Sequence, residues 1–168
     1  MILFLDFDGV LHPEIALSTR RDFEHLPRLW KILRAVPEVQ VVFATSWRTS
    51  RSLDELIALM TRDGGEDLAH RFVGSNPVVK KESREQGDYG HRRDECLAWI
   101  EANRTRFPFW IKDIPWVAID DIPHFYGIPC FNLYMTDCRT GLTEADVALI
   151  IRKLEGTLRP QHRKRWLS

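Results

Sequence analysis

Asp6 and Asp8 stand two residues apart at the end of the apolar run Ile2-Leu3-Phe4-Leu5, and Gly9-Val10 follows. Strand side chains alternate with period two, so the two carboxylates are expected on one side and Phe7 on the other. Gly9 lets the chain turn and bring backbone N–H groups near an anion. A second acidic pair, Asp120-Asp121, closes the apolar run Trp116 to Ile119, and the hydroxyl pair Thr45-Ser46 follows the run Val39 to Ala44. Carboxylates gathered on one rim repel one another and are costly without a cation. An oxygen-only cluster of this kind suits Mg²⁺, which takes one or two carboxylates, carbonyls, waters and the phosphate oxygens of a substrate. Such a substrate also needs a hydroxyl and a cationic side chain. Thr45 and Ser46 offer the first; Arg92 and Arg93, at the start of a helix, offer the second, with Lys80 and Lys81 as further choices.

Bringing these ends together requires parallel strands. Ile2 to Leu5, Val39 to Ala44 and Trp116 to Ile119 are short apolar runs without helical period and read as buried strands. Cys130 to Leu133 reads as an edge strand, and Phe72 opens a strand fragment that gives way to a loop reaching Gly90. Between them lie helical patterns. Leu26, Leu29, Trp30 and Leu33 recur at i, i+3, i+4 and i+7, with Pro27 suited to a first turn. Leu53, Leu56, Ile57 and Met60 form another face, ended by Gly64-Gly65. Asp94 to Ala102 is helical, with Cys96, Leu97 and Ile100 inward. A last helix starts at Thr143, capped with Asp146 in the capping-box position, and turns Val147, Ile150, Ile151 and Leu154 inward. Alternating strands and helices imply a three-layer α/β, Rossmann-like domain with a mainly parallel sheet. Ligands of such sheets bind beyond the carboxyl ends of the strands.

Composition narrows the field. The chain has 168 residues, 44% hydrophobic and 29% charged, with zero formal net charge. One domain over residues 1–158 is expected, followed by a basic tail over 159–168. Zero net charge makes no global case for a nucleic-acid or membrane partner. No apolar run approaches the roughly 20 residues of a membrane helix. The start has no basic region or cleavage site, and Cys96, Cys130 and Cys138 are odd in number and lack metal-ligand spacing, so a reducing, cytoplasmic compartment is the expectation.

Plainer roles compete for each residue. Aspartate is common where strands turn, and Asp-Asp-x-Pro also reads as the opening of a turn. Thr45 suits a helix cap. Arg92 suits a solvated surface, and Trp47 and Arg48 suit either the site or packing against the sheet. His12, four residues after Asp8, suits a substrate contact but better a loop histidine, and His91 and His124 read as bystanders. The basic tail suits a frayed terminus as well as a phosphate contact.

Asp6-Phe7-Asp8-Gly9-Val10-Leu11 resembles the first motif of the haloacid-dehalogenase (HAD) superfamily, Asp-x-Asp-Gly-Thr/Val. Val41-Val42-Phe43-Ala44-Thr45-Ser46 resembles its second motif, and Val117-Ala118-Ile119-Asp120-Asp121 its fourth. Arg92, ahead of Asp94-Glu95-Cys96-Leu97-Ala98-Trp99, is the best fit to the basic third motif. Thr45-Ser46-Trp47-Arg48, Gly74-Ser75-Asn76-Pro77 and Gly141-Leu142-Thr143 extend the likeness to a branch of small capless proteins, some of them grouped with RNA-repair proteins. Caps in this superfamily follow motif one or separate motifs two and three. Neither interval here has room for one, so an open site is expected.

The resemblance implies roles. Asp6 attacks phosphorus and forms an aspartyl-phosphate, and Asp8 protonates the leaving oxygen and then activates water. Asp6, the Asp8 carbonyl, and Asp120 or Asp121 hold Mg²⁺. Thr45, with Ser46, and Arg92 bind the phosphoryl oxygens. A phosphatase acting on a phosphorylated small molecule or a nucleic-acid end is the expected function. The alternative is a non-catalytic phosphate- or RNA-binding module, which has no need of both Asp6 and Asp8. A receiver-like phospho-acceptor fits less well, because such domains place their acidic pair early and the acceptor aspartate on a later strand.

Overall fold

The computed structural model describes residues 1–14, 22–79 and 89–163, with side chains described to residue 158. Lys80, Lys81 and the side chains of the basic tail therefore lie outside the described residues. Five strands, β1 (Ile2–Leu5), β2 (Gln40–Phe43), β3 (Phe72–Ser75), β4 (Trp116–Asp120) and β5 (Leu133–Met135), form one sheet in the order β3-β2-β1-β4-β5. Every pairing is parallel. The helices are α1 (Leu26–Ala35), α2 (Leu53–Thr61), α3 (His91–Ala102) and α4 (Glu144–Arg163).

Period two along the strands makes two cores. Leu3, Leu5, Val41, Phe43, Val117 and Ile119 pack with Leu29 and Leu33 of α1, Leu56 and Met60 of α2, and Val147, Ile150 and Leu154 of α4. Ile2, Phe4, Val42 and Ala118 point the other way, against Cys96 and Trp99 of α3. The result is a three-layer α/β domain, with no large cap among the described residues. The chain runs outward from β1 through β2 to β3, then crosses back to β4. The switch between β1 and β4 opens a crevice at their carboxyl ends, where ligands of such sheets bind.

Local details follow from the residues. Pro27 sits in the first turn of α1. Ahead of α4, the Thr143 N–H donates to Asp146 (2.7 Å) and the Asp146 N–H donates to the Thr143 hydroxyl (3.3 Å), a reciprocal capping box. Two expectations need correction. The fifth strand starts at Leu133, not Cys130: Leu133 N–H bonds back to the Cys130 carbonyl, closing a turn, and Phe131 is 87% exposed. A short apolar run cannot by itself separate turn from strand. In α3, Leu97 faces solvent; Arg92, Glu95, Cys96 and Trp99 face inward, because this helix buries charge as well as apolar surface.

Arg71, before β3, is buried and donates to the carbonyls of Leu33, Val36 and Val39, which terminate α1 and lead into β2. Arg71→Met leaves those carbonyls without their donor, and unpaired buried polar groups are expensive, so a loss of about 3 kcal/mol is expected. Urea titration reads it, and an unchanged midpoint would refute the role.

Candidate functional site

β1 and β4 are the elements that set the acidic rim. Asp6 N–H donates to the Ile119 carbonyl (3.1 Å), which locks the end of β1 to β4. Carboxylate oxygens of Asp6, Asp120 and Asp121 lie within 4.8 Å of one another. Asp6 and Asp120 are buried and Asp121 is half-buried. The strand extends one residue beyond Ile119, so Asp120 is part of β4 and points to the α3 side, where it accepts from the Tyr126 hydroxyl (3.1 Å) and the Ile122 N–H (2.9 Å). Asp121 lies instead over Gly9. A Cβ on Gly9 would clash with the Asp121 carboxylate, and Gly9 has φ +67°, a conformation costly for other residues. The Thr136 hydroxyl holds the Gly9 carbonyl at 2.8 Å. Gly9→Ala is therefore expected to push Asp121 aside and lower any cation-dependent activity by about 100-fold, with about 1 kcal/mol lost from the fold. Paired activity and melting measurements check this; a variant with wild-type activity would show that Asp121 need not be where it is.

The rim is electrostatically unfavourable by itself. Burial pushes the Asp6 carboxyl well above its usual range and neighbouring Asp120 adds to this, while Arg92 pulls the other way. Burial raises Asp120 as well. Burial, then Asp120, pushes Asp121 up to about 6. An all-oxygen donor set with surplus negative charge fits a hard divalent cation. Asp8 is the opposite case: a hydrogen bond from His12 holds its carboxyl below the usual value.

β1 ends at Leu5, and the turn after it, with the Val10 and Leu11 N–H groups on the Phe7 carbonyl, breaks the strand alternation. Asp6 and Asp8 still open on the same cleft, of about 560 Å³, together with Ser46, Arg92 and Asp121. Asp8 reaches it held from behind. His12 Nε2 donates to Oδ1 and Trp47 Nε1 donates to Oδ2, each at 3.0 Å. His12 is thus fully buried against Asp8 rather than a loose loop histidine.

The cations divide clearly. Arg92 is buried, with Nη1 3.9 Å from Asp6 Oδ1, and its Nε and Nη1 have no hydrogen-bond partner among the described residues. Glu95 lies beside it, but the nearer Glu95 oxygen is taken at 2.6 Å by Arg48, which also donates to the Thr45 and Asn76 carbonyls. Arg92 is left with N–H groups to offer an anion. Arg93 points away, toward Gly127 and Tyr89. Thr45 is buried and its hydroxyl accepts from the Trp47 N–H (3.3 Å), so it caps the turn Ser46–Thr49; Ser46 lines the cleft.

His91, Phe125, Ile122 and Glu14 also line the cleft, and none of them is legible as a site residue from spacing alone. The two donors to Asp8 leave faint signals: His12 follows Asp8 by four residues across the Gly9 turn, and Trp47 follows the hydroxyl pair. The Arg48–Glu95 pair leaves none, because its members come from separate elements.

No helix among the described residues is long and apolar enough to cross a membrane. A family model described as "HAD domain in Swiss Army Knife RNA repair proteins" matches residues 2–147. No curated protein and no solved structure matches the chain.

Proposed function

The chain belongs to the HAD domains of Swiss Army Knife RNA repair proteins, and on that premise we propose that it is a Mg²⁺-dependent phosphatase. It acts on phosphomonoesters, among them nucleotides or nucleic-acid ends, through an aspartyl-phosphate on Asp6. The observation that carries the reading is the buried Arg92, whose Nε and Nη1 have no hydrogen-bond partner among the described residues, beside a buried carboxylate on a rim of surplus negative charge. That meeting of a buried cation, ion-paired at 3.7–3.9 Å but with N–H groups to offer, and crowded acids is what a phosphoryl group bound with a metal ion requires.

In this reading Asp6, the Asp8 carbonyl, and Asp120 or Asp121 hold Mg²⁺, which supplies positive charge against the phosphoryl oxygens. Arg92 and Ser46, with Thr45 behind, orient the phosphoryl group. An Asp6 oxygen bonds to phosphorus as the bond to the leaving oxygen breaks, and that oxygen takes a proton from Asp8, which acquires it from solvent against the negative charge of the bound phosphoryl group. Asp8 then takes a proton from water as the water oxygen bonds to phosphorus and the Asp6–phosphorus bond breaks, releasing phosphate.

The test is phosphate release from aryl phosphate, alkyl phosphate, mononucleotides and phosphorylated oligonucleotides, with Mg²⁺ or chelator, for wild type and Asp6→Asn. Turnover that survives Asp6→Asn rules out the nucleophile. Mg²⁺ binding without turnover of any substrate moves the chain to the phosphate- or RNA-binding reading.

A further inference from the structure

We propose that His12 and Trp47 form a two-sided clamp that aims Asp8 at the leaving oxygen, with His12 as a fixed hydrogen-bond donor. The inference rests on the phosphatase reading and adds positioning residues to it. Both oxygens of Asp8 receive an N–H, from His12 Nε2 and Trp47 Nε1, at 3.0 Å each. A carboxylate held at one oxygen can swing about that contact; held at both, it has one orientation, and Asp8 lines the cleft in it.

The donors are themselves locked. The Phe23 backbone N–H donates to His12 Nδ1 at 3.3 Å, so the ring proton belongs on Nε2, toward Asp8. His12 is fully buried, edge-on to Phe23 with ring centroids 5.1 Å apart. Trp47 packs on Phe7 and Phe23 at 5.9 and 5.2 Å, and the Arg51 guanidinium covers it. Neither ring is among the described residues that line the cleft. Their effect passes through Asp8 alone.

Both donors favour the charged form of Asp8, so the clamp acts by orientation: the proton that Asp8 takes up against the bound phosphoryl group is aimed at the departing oxygen in the first step. A clamp that serves this transfer matters most when the leaving group is an unstabilised alkoxide, and least when it is a stabilised phenolate. Misplacement of the whole loop, Asp6 included, would harm both substrates alike. The value of kcat/KM reports only the steps up to departure of the leaving group, so hydrolysis of the aspartyl-phosphate does not blur the comparison.

The experiment measures kcat/KM on glycerol 3-phosphate and p-nitrophenyl phosphate for wild type, His12→Phe and His12→Gln, with melting temperatures alongside. His12→Phe keeps an aromatic ring and removes the donor; the Gln amide restores one. General-acid effects span about 10²–10⁴-fold, so a fall of about 100-fold is expected for His12→Phe on the alkyl ester, with less than about 10-fold on the aryl ester and substantial recovery in His12→Gln. Equal losses on both esters, or no loss on the alkyl ester, overturn the clamp. If His12→Phe does not fold, Trp47→Phe removes the opposite donor and reads the same ratio. A wild type that turns over only nucleotides takes a nucleoside 5′-monophosphate and its aryl monophosphate counterpart as the pair; one inert on these, on both esters and on phosphorylated oligonucleotides overturns the phosphatase reading and the clamp with it, whereas an active wild type with equal losses overturns the clamp alone.

Discussion

Asp6→Asn is expected to lower phosphatase turnover by at least about 10⁴-fold, as removal of a covalent nucleophile does, and to yield a protein that melts higher than wild type in chelator at neutral pH. The two effects share a cause. Asp6 is 6% exposed, stands among Asp120 and Asp121, and has its carboxyl pushed well up by burial and by Asp120. Charge there costs the metal-free fold energy, and the neutral amide removes that cost while keeping the shape. The amide is also a poor nucleophile, so no phosphoryl-enzyme forms. Intact-mass analysis after brief exposure to substrate should show a phosphorylated wild type and an unmodified variant. A variant that is inactive and also markedly less stable would mean that Asp6 serves the fold, and its loss of activity would say nothing about attack on phosphorus.

Mg²⁺ is expected to raise the melting temperature near pH 7.5 by about 5–10 °C at saturating concentration, and by far less near pH 5. Asp121 moves from the ordinary 3.8 to about 6 on folding, and Asp6 and Asp120 move in the same direction. A carboxyl raised in this way contributes stability that is complete below its unfolded value and is lost as pH rises through the folded one. The metal-free protein should therefore weaken between about pH 4 and somewhat above pH 6, where the carboxylates become charged without a partner. A cation reverses this only where the carboxylates are ionised, so its effect grows with pH over the same interval. Turnover should follow: chelation near pH 7.5 is expected to remove at least about 10³-fold of the rate, by loss of charge stabilisation at the phosphoryl group. A Mg²⁺ shift of equal size at both pH values would show that binding occurs elsewhere.

Much of the fold is legible because its signals are local. β1 is bounded as read, from Ile2 to Leu5, since an apolar run without helical period that stops at a charge has few other readings. The α4 start at Thr143 and Asp146 is legible for the same reason: a capping box needs only neighbours in sequence. α3 is harder. Its inward face carries Arg92 and Glu95, and a hydrophobic pattern cannot announce a face that buries charge. The approach of Asp6 to Asp120 and Asp121 follows from strand ends and parallel order. The supports of the site do not. His12 meets Asp8 through a turn whose shape depends on Gly9, and Arg48 meets Glu95 only after β2 and α3 are docked. Such contacts are properties of the assembled sheet.

The place of β1 in the sheet bears on the order of assembly. β1 is the first strand in the chain, yet it lies at the centre, and Ile2 pairs with Gln40 on one side and Trp116 on the other. Contacts between residues so distant in sequence close late, because the loop entropy must be overcome first. The half-sheet β1-β2-β3 can gather early, but Asp6 then faces an open edge until β4 docks and the Ile119 carbonyl takes its N–H. During synthesis Asp6 emerges ahead of the segment that carries Asp120 and Asp121 and waits for it. Amide protection at Asp6 should thus appear with the last cooperative phase of folding, and competence for chemistry with it.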